Sequence, residues 1–288
     1  MFAQVLFSGI ALGSIYGLVA LGFAVVFKAT EVFNFAQGMF VVCGAFFAVT
    51  AISLLGLPFW LSVVFIVGAA ALLGVVIHVV LIQPLAGRPM LSVIMLTIAL
   101  SIVLRAVIEI AYGPQGRTLV TPLPTGVFIV GGVRVSQLHL VAALVSWACM
   151  AGFGAFFRFT SAGLLMRATA DSHEAAVVSG VDVNVMNRLA WAIGAILAAI
   201  GGLFLGQLQL ASTDLENIGL LALPAVVIGG MQSIPGAIVG GLLVGIIEQF
   251  AAVYISPKSS DILIYVLLLL ILMVRPWGLF GQRELGRV

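Results

Sequence analysis

The constraint that dominates this chain is a succession of apolar runs, most about 20 residues long, with little polar sequence between them. Nine such runs stand at 5–27, 38–55, 58–82, 91–112, 137–157, 188–209, 218–230, 234–254 and 261–275. The seventh and ninth are short, which leaves them open to being tilted, broken or re-entrant. Of 288 residues, 63% are hydrophobic and 8% charged, against about 25% charged in soluble domains. So few charges cannot cover the surface of a water-soluble protein of this length. The expected fold is therefore an all-α polytopic transmembrane bundle of eight or nine spans, one domain over 1–288, with no soluble domain inserted. The first run has neither a basic leading segment nor a good cleavage site, so it is expected to be a retained helix.

Several classes of chemistry are not expected. The formal net charge is +2, too small to indicate a nucleic-acid partner. Cys43 and Cys149 lie inside apolar runs and read as small buried hydrophobes rather than a disulfide. No G-x-x-x-x-G-K-[ST] occurs to cradle a nucleotide phosphate. His78, His139 and His173 are far apart and lack metal-site spacing with cysteine or carboxylate. No Ser, His and Asp set indicates a nucleophile, and G-x-S-x-G is missing. The chain is expected to be non-catalytic, to hold no metal or cofactor of its own, and to work by changing conformation.

Basic residues orient the spans. With nine spans and the N-terminus outside, Lys28, Arg88, Arg158, Arg167, Arg188, Arg275, Arg283 and Arg287 fall on the cytoplasmic side, and only Arg117, Arg134 and Lys258 fall outside. This places segment 158–187 in the cytosol and segment 113–136 outside. The latter carries Gly113-Pro114, Pro122, Pro124 and Gly131-Gly132, and reads as a loop with a hairpin around the paired glycines. Glycine spacing adds a packing signal. Gly13 with Gly17, Gly202 with Gly206, and Gly236, Gly240, Gly241 and Gly245 form small-xxx-small pairs that let helix backbones approach closely in lipid. Plain helix packing accounts for such pairs; smooth faces that slide during transport are the functional alternative. No internal repeat is evident.

Segment 158–187 is the longest polar stretch. Asp171 is placed to cap a helix, with Glu174 three residues on completing a capping box, and Gly180 supplies a left-handed terminator. The helix between them is expected to span about eight residues, roughly 12 Å. Ala175, Ala176 and Val178 would give it a small apolar side. Such an element is either an ordinary surface helix or a knob for a partner's groove.

The residues narrow that choice by resemblance. Glu174-Ala175-Ala176 followed by Gly180 resembles the EAA loop of ABC importer permeases, whose short helix docks on an ATP-binding subunit. Met166-Arg167-Ala168-Thr169-Ala170, Gly180-Val181-Asp182-Val183 and Ile228-Gly229-Gly230-Met231-Gln232-Ser233-Ile234-Pro235-Gly236-Ala237 resemble branched-chain amino acid permeases. Gly13-Ser14-Ile15-Tyr16-Gly17-Leu18, Phe33-Asn34-Phe35-Ala36-Gln37-Gly38 and Leu96-Thr97-Ile98-Ala99-Leu100-Ser101 are similar to the LivH-like half of that family. The resemblance runs nearly end to end. It implies a multi-pass subunit of the bacterial inner membrane that passes an amino acid. Its partners would be a homologous LivM-like permease, two ATP-binding subunits holding ATP-Mg, and a periplasmic binding protein. Relatives that carry urea or short amides supply an alternative cargo, and a self-sufficient channel or ion-coupled carrier is the alternative class. Gln37 and Met39 stand where the family often has His and Glu, which puts any role for charge there in doubt and is compatible with a different substrate.

Substrate-path candidates follow from polar residues in apolar surroundings. Thr97, Ser101, Arg105 and Glu109 share one face of the fourth span. They either line a path that ends in a charged rim or make local backbone and ion-pair contacts. Asn34 and Gln37, after Lys28 and Glu31, read as a cytoplasmic turn at the inner end of span one or as a break lining a cavity. Glu248 is the lone carboxylate of its span and must face protein or water, in a packing, gating or subunit-contact role.

Overall fold

A computed structural model describes residues 2–130, 133–256 and 260–281. The described elements are helices α1 (Phe2–Thr30), α2 (Gln37–Ala48, continued by a π-helical turn Val49–Leu54), α3 (Phe59–Ile77, continued by π and 3-10 turns to Leu85), α4 (Met90–Tyr112), α5 (Gln137–Phe159), α6 (Ser161–Asp171), α7 (His173–Val178), α8 (Val183–Leu208), α9 (Leu215–Leu220), α10 (Ala222–Gly229), α11 (Ile234–Tyr254) and α12 (Ser260–Val274). One hairpin interrupts the helices: β1 (Val127–Val130) pairs antiparallel with β2 (Val133–Ser136), setting Phe128 opposite Val135. The turn glycines 131–132 lie outside the described residues, as do Lys258, Arg283 and Arg287. Apart from the hairpin and an isolated Arg117–Ala211 bridge, the described fold is the all-α polytopic bundle that the apolar runs imply.

Among the described residues, seven helices are long and apolar enough to cross a membrane. The two shorter runs behave differently from the other seven. The seventh is not a continuous span over 218–230: it begins at Leu215 and is jointed at Leu221 between α9 and α10. Residues 215–229 reach about 22 Å at 1.5 Å per residue, short of a hydrocarbon core of about 30 Å. The ninth, α12, has 15 residues.

Helix directions follow from close neighbours. Gly9, Gly13 and Gly17 of α1 face Ile246, Leu242 and Ile238 of α11, so these helices run antiparallel. Gly22 of α1 meets Gly194 of α8, while Gly201 meets Val19, which makes this pair antiparallel as well. Helices α1, α2 and α8 form the buried centre: Trp191, Tyr16, Phe40 and Phe46 are among the largest fully enclosed side chains. Helices α3, α4 and α12 present rows of exposed Leu, Ile and Val outward, as lipid-facing helices do, and α5 exposes Leu144 and Trp147 among small residues.

Two interruptions organise this centre. After α1 the chain returns in non-helical form through 31–36, and α2 begins at Gln37. That start lies at mid-depth, because the Gln37 amide donates to the carbonyl of Gly194, which is close to the middle of the 26-residue α8. After α8, residues 209–214 turn back and α9 begins beside α2, with Glu216 and Gly219 against Gly38. From that shared level α2 runs parallel to α8, and α10 runs antiparallel to α11 through Ala225–Gly240 and Gly229–Gly236 contacts. Two short helices thus start near one another and leave in opposite directions.

Candidate functional site

The first interruption is a polar knot inside the bundle. Asn34 is 1% and Gln37 2% exposed. Asn34 Nδ2 donates to Gln37 Oε1 (3.0 Å), and its Oδ1 accepts from the Ala36 amide (3.1 Å). Thr97 closes the other side: its hydroxyl accepts from the Phe35 amide (3.3 Å) and lies 3.2 Å from the Phe33 carbonyl and 2.9 Å from that of Ile94. A break in apolar surroundings leaves backbone groups to be satisfied, and these three side chains satisfy several of them. Asn34 and Gln37 are therefore not in a cytoplasmic turn at the inner end of the first span; they sit in a mid-depth break. Ser101, one turn above Thr97, bonds the Ile98 carbonyl (2.8 Å).

Further along the same face of α4 is a charged cluster. Arg105 Nε pairs with Glu109 (3.1 Å), Nη1 with Glu216 (3.5 Å) and Nη2 with Asp214 (3.9 Å). Arg105 Nη2 also donates to the Thr213 hydroxyl (3.3 Å), which in turn donates to Glu109 (3.3 Å). The α4 spacing anticipates the Arg105–Glu109 pair. Thr213, Asp214 and Glu216 have no such signal, since they arrive from more than 100 residues away through the second interruption. One cation faces three carboxylates, so the cluster is net acidic. It ties α4 to the start of α9, where Glu216 also lies against Gly38 of α2.

The segment between α5 and α8 holds two helices, α6 and α7, rather than one. Thr160 caps α6, accepting from the Gly163 amide (3.0 Å). Asp171 does not cap the second helix; it is the last residue of α6. The cap is Ser172, whose hydroxyl accepts from Ala175 (3.2 Å), so Ala175 rather than Glu174 occupies the third position and no capping box forms. Asp and Ser are both good caps, and the early end of α7 is decided by which of the two adjacent residues leaves the helix. Helix α7 has six residues, about 9 Å, rather than eight. Gly180 ends it at φ 82°, with Val181 bonding back to Ala176. Ala176 does not belong to the outward apolar side: it is 3% exposed and anchors the helix, whereas Val177 (61%) and Val178 (89%) join Glu174 and Ala175 in solvent.

The paired glycines mark backbone contacts. A Cβ on Gly241 or Gly245 would overlap the backbone of Gly17 or Gly13 across the α1–α11 crossing. Gly202 and Gly206 meet Val41 and Ala45 of α2, and Gly236 and Gly240 meet Gly229 and Ala225 of α10. Glu248 is half-buried in α11, with one carboxylate oxygen enclosed and without a hydrogen-bond partner. It lies apart from the α4 cluster.

Comparison with known proteins places this architecture. Residues 5–272 match the family model described as branched-chain amino acid transport system / permease component. The chain belongs to this family. It is 31% identical over all of its length, and 98% of the relative's, to the high-affinity branched-chain amino acid transport system permease protein LivH of Escherichia coli K12. It is equally similar, over the same shares, to BraD of Pseudomonas aeruginosa, and 28% identical over 92% of its length and 88% of the relative's to a probable LivH permease of Methanocaldococcus jannaschii. Among solved structures, PsaBC from Streptococcus pneumoniae in complex with Fab shares the fold, with a TM-score of 0.50 at 16% identity, covering 93% of this chain and 89% of that one. As a permease of this family with seven spanning-length apolar helices, the chain is a multi-pass protein of the bacterial inner membrane. The family match takes in both interruptions, the α4 cluster and the α6–α7 segment.

Proposed function

We propose that this permease is one of the two membrane subunits of an ATP-driven importer for branched-chain amino acids, paired with a homologous LivM-like permease, two ATP-binding subunits and an extracytoplasmic binding protein. The observation that carries the reading is the full-length likeness to permeases named for branched-chain transport. The short capped α7, exposed between two crossings, supplies the physical means. ATP-Mg would be bound by the partner subunits, and closure of their dimer would press on α7 through Glu174, Ala175, Val177 and Val178.

Helix α7 is joined to α8 by four residues, Ser179 to Asp182, and α8 carries Gly194, the acceptor for Gln37. A push at the loop would thus reach the mid-depth break through one rigid helix. The path would follow Asn34, Gln37, Thr97 and Ser101 to the Arg105–Glu109 rim, where the binding protein delivers its cargo. A zwitterionic amino acid meets both signs there, a guanidinium for its carboxylate and excess carboxylate for its ammonium. The two discrete arrangements of packed helices, biased by partners that bind each differently, are what convert ATP turnover into movement.

The test is uptake in cells lacking the chain. Restoring it should restore uptake of labelled leucine, isoleucine and valine and leave urea uptake unchanged. Restored urea or amide uptake without branched-chain uptake would replace the cargo, and uptake independent of ATP would replace the class.

A further inference from the structure

A hollow of about 520 Å³ opens at the cytoplasmic end of the bundle, below the Asn34–Gln37–Thr97 knot. Its walls come from five places in the chain: Lys28 of α1, Arg158 of α5, Arg167 of α6, Ser233 with Ile234 at the start of α11, and Phe280 after α12. Among the described residues, none of the three cations lies within 4.0 Å of a carboxylate. Two of them share one ring: Lys28 Nζ is 5.9 Å and Arg167 Cζ 5.8 Å from the centre of Phe157. Arg167 also donates to the backbone carbonyl of Arg158 (3.4 Å), and Arg158 lines the same hollow. Like charges gathered around one ring repel each other unless anions join them.

Glu31 and Asp171 line the same hollow. Three cations against two carboxylates leave a single positive charge, which a monoanionic phosphodiester would neutralise. The 21-residue α11 starts at the wall, and its first turn adds the positive end of a helix dipole. The surroundings are those of a membrane boundary: Arg158 stacks 5.4 Å from the ring of Phe159, which is 78% exposed, and Phe27 and Phe280 complete an apolar flank.

We propose that this hollow binds the phosphodiester headgroup of an anionic phospholipid from the inner leaflet, clamped by Lys28, Arg158 and Arg167. A lipid held there would join α1, α5 and α6 to the α10–α11 turn, immediately beside the α6–α7 segment.

The purified chain in detergent, titrated with dioleoyl-phosphatidylglycerol or dioleoyl-phosphatidylcholine and read by native mass spectrometry, tests this. Phosphatidylglycerol should be retained preferentially, and each cation removed should weaken that retention roughly fivefold. The triple variant Lys28→Gln, Arg158→Gln, Arg167→Gln should lose the preference, while the Lys28→Arg, Arg158→Lys, Arg167→Lys exchange should keep it. Should the triple variant fail to purify, Arg167→Gln alone should still show the single-cation loss. Arg134→Gln, a charge removed on the opposite face, should change nothing. Equal retention of the two lipids, or a preference that survives the Gln substitutions, would overturn the site. Displacement of phosphatidylglycerol by inorganic phosphate or glycerol phosphate at comparable concentration would overturn the lipid as its source.

Discussion

Small residues serve opposite ends at the α1–α11 crossing and in the α6–α7 segment. At the crossing, Gly13 and Gly17 lie directly on Gly245 and Gly241, and no side chain fits between the backbones. In the α6–α7 segment Gly180 has nothing within 4 Å of where a Cβ would stand, and Ala175 is exposed. The first arrangement depends on being closed; the second leaves a surface free. The difference teaches that residue type does not say whether a small residue is structural, because its neighbours decide. It also separates two kinds of damage: substitutions at the crossing should cost folded protein, and substitutions on the exposed helix should cost work.

Gly241→Leu should break the comparison from the structural side with the largest effect. Its side chain would drive α11 from the Gly17 backbone, and overpacking alone costs about 1–3 kcal/mol, more where backbone must yield. The amount of folded protein in the membrane should fall steeply, and near-normal levels would show that the crossing tolerates separation.

Gln37→Leu should come next. It removes the donor to the Gly194 carbonyl and the acceptor for Asn34, both buried, at about 1–3 kcal/mol for groups left unsatisfied. The thermal midpoint of the purified protein should drop, with Gln37→Glu also destabilised because its carboxylate cannot donate to Gly194. An unchanged midpoint would mean that the break is open to water.

Arg105→Gln should be smaller still in stability. Its guanidinium is about two-fifths exposed, and ion pairs of that kind contribute roughly 0–1 kcal/mol. Uptake should nonetheless fall well beyond the change in membrane level, because three carboxylates would be left without their cation. Loss of protein and uptake in equal measure would reduce the cluster to a structural clamp.

How much of this could be read from the sequence depended on range. Arg105 and Glu109 are one helix turn apart, so their pairing follows from local geometry, as does the close approach that Gly241 and Gly245 permit. Thr213, Asp214 and Glu216 complete the same cluster, but their segment reads as a link between two apolar runs, and only the tertiary fold turns it back beside α4. The depth of Asn34 and Gln37 was hidden for a related reason. Polar residues after Lys28 look like a membrane boundary, and nothing local shows that the chain re-enters and meets Gly194 of a helix more than 150 residues away. In the α6–α7 segment the presence of a capped helix ended by Gly180 was legible, whereas the choice of Ser172 over Asp171 turned on how far α6 extends. Packing of α7 buries Ala176 and leaves Val177 and Val178 exposed, which local spacing does not show.

The most direct measurement of the central claim is the ratio of leucine uptake to ATP hydrolysis in liposomes containing this permease with its partner subunits, comparing Val178→Asp with the unaltered chain. Val178 is 89% exposed, so the substitution should leave folding and membrane level unchanged. The account predicts that uptake per ATP collapses in the variant, because the surface that receives the push has been given a charge. Full coupling with Asp at this position would contradict it, as would accumulation of leucine against a gradient by the unaltered chain alone.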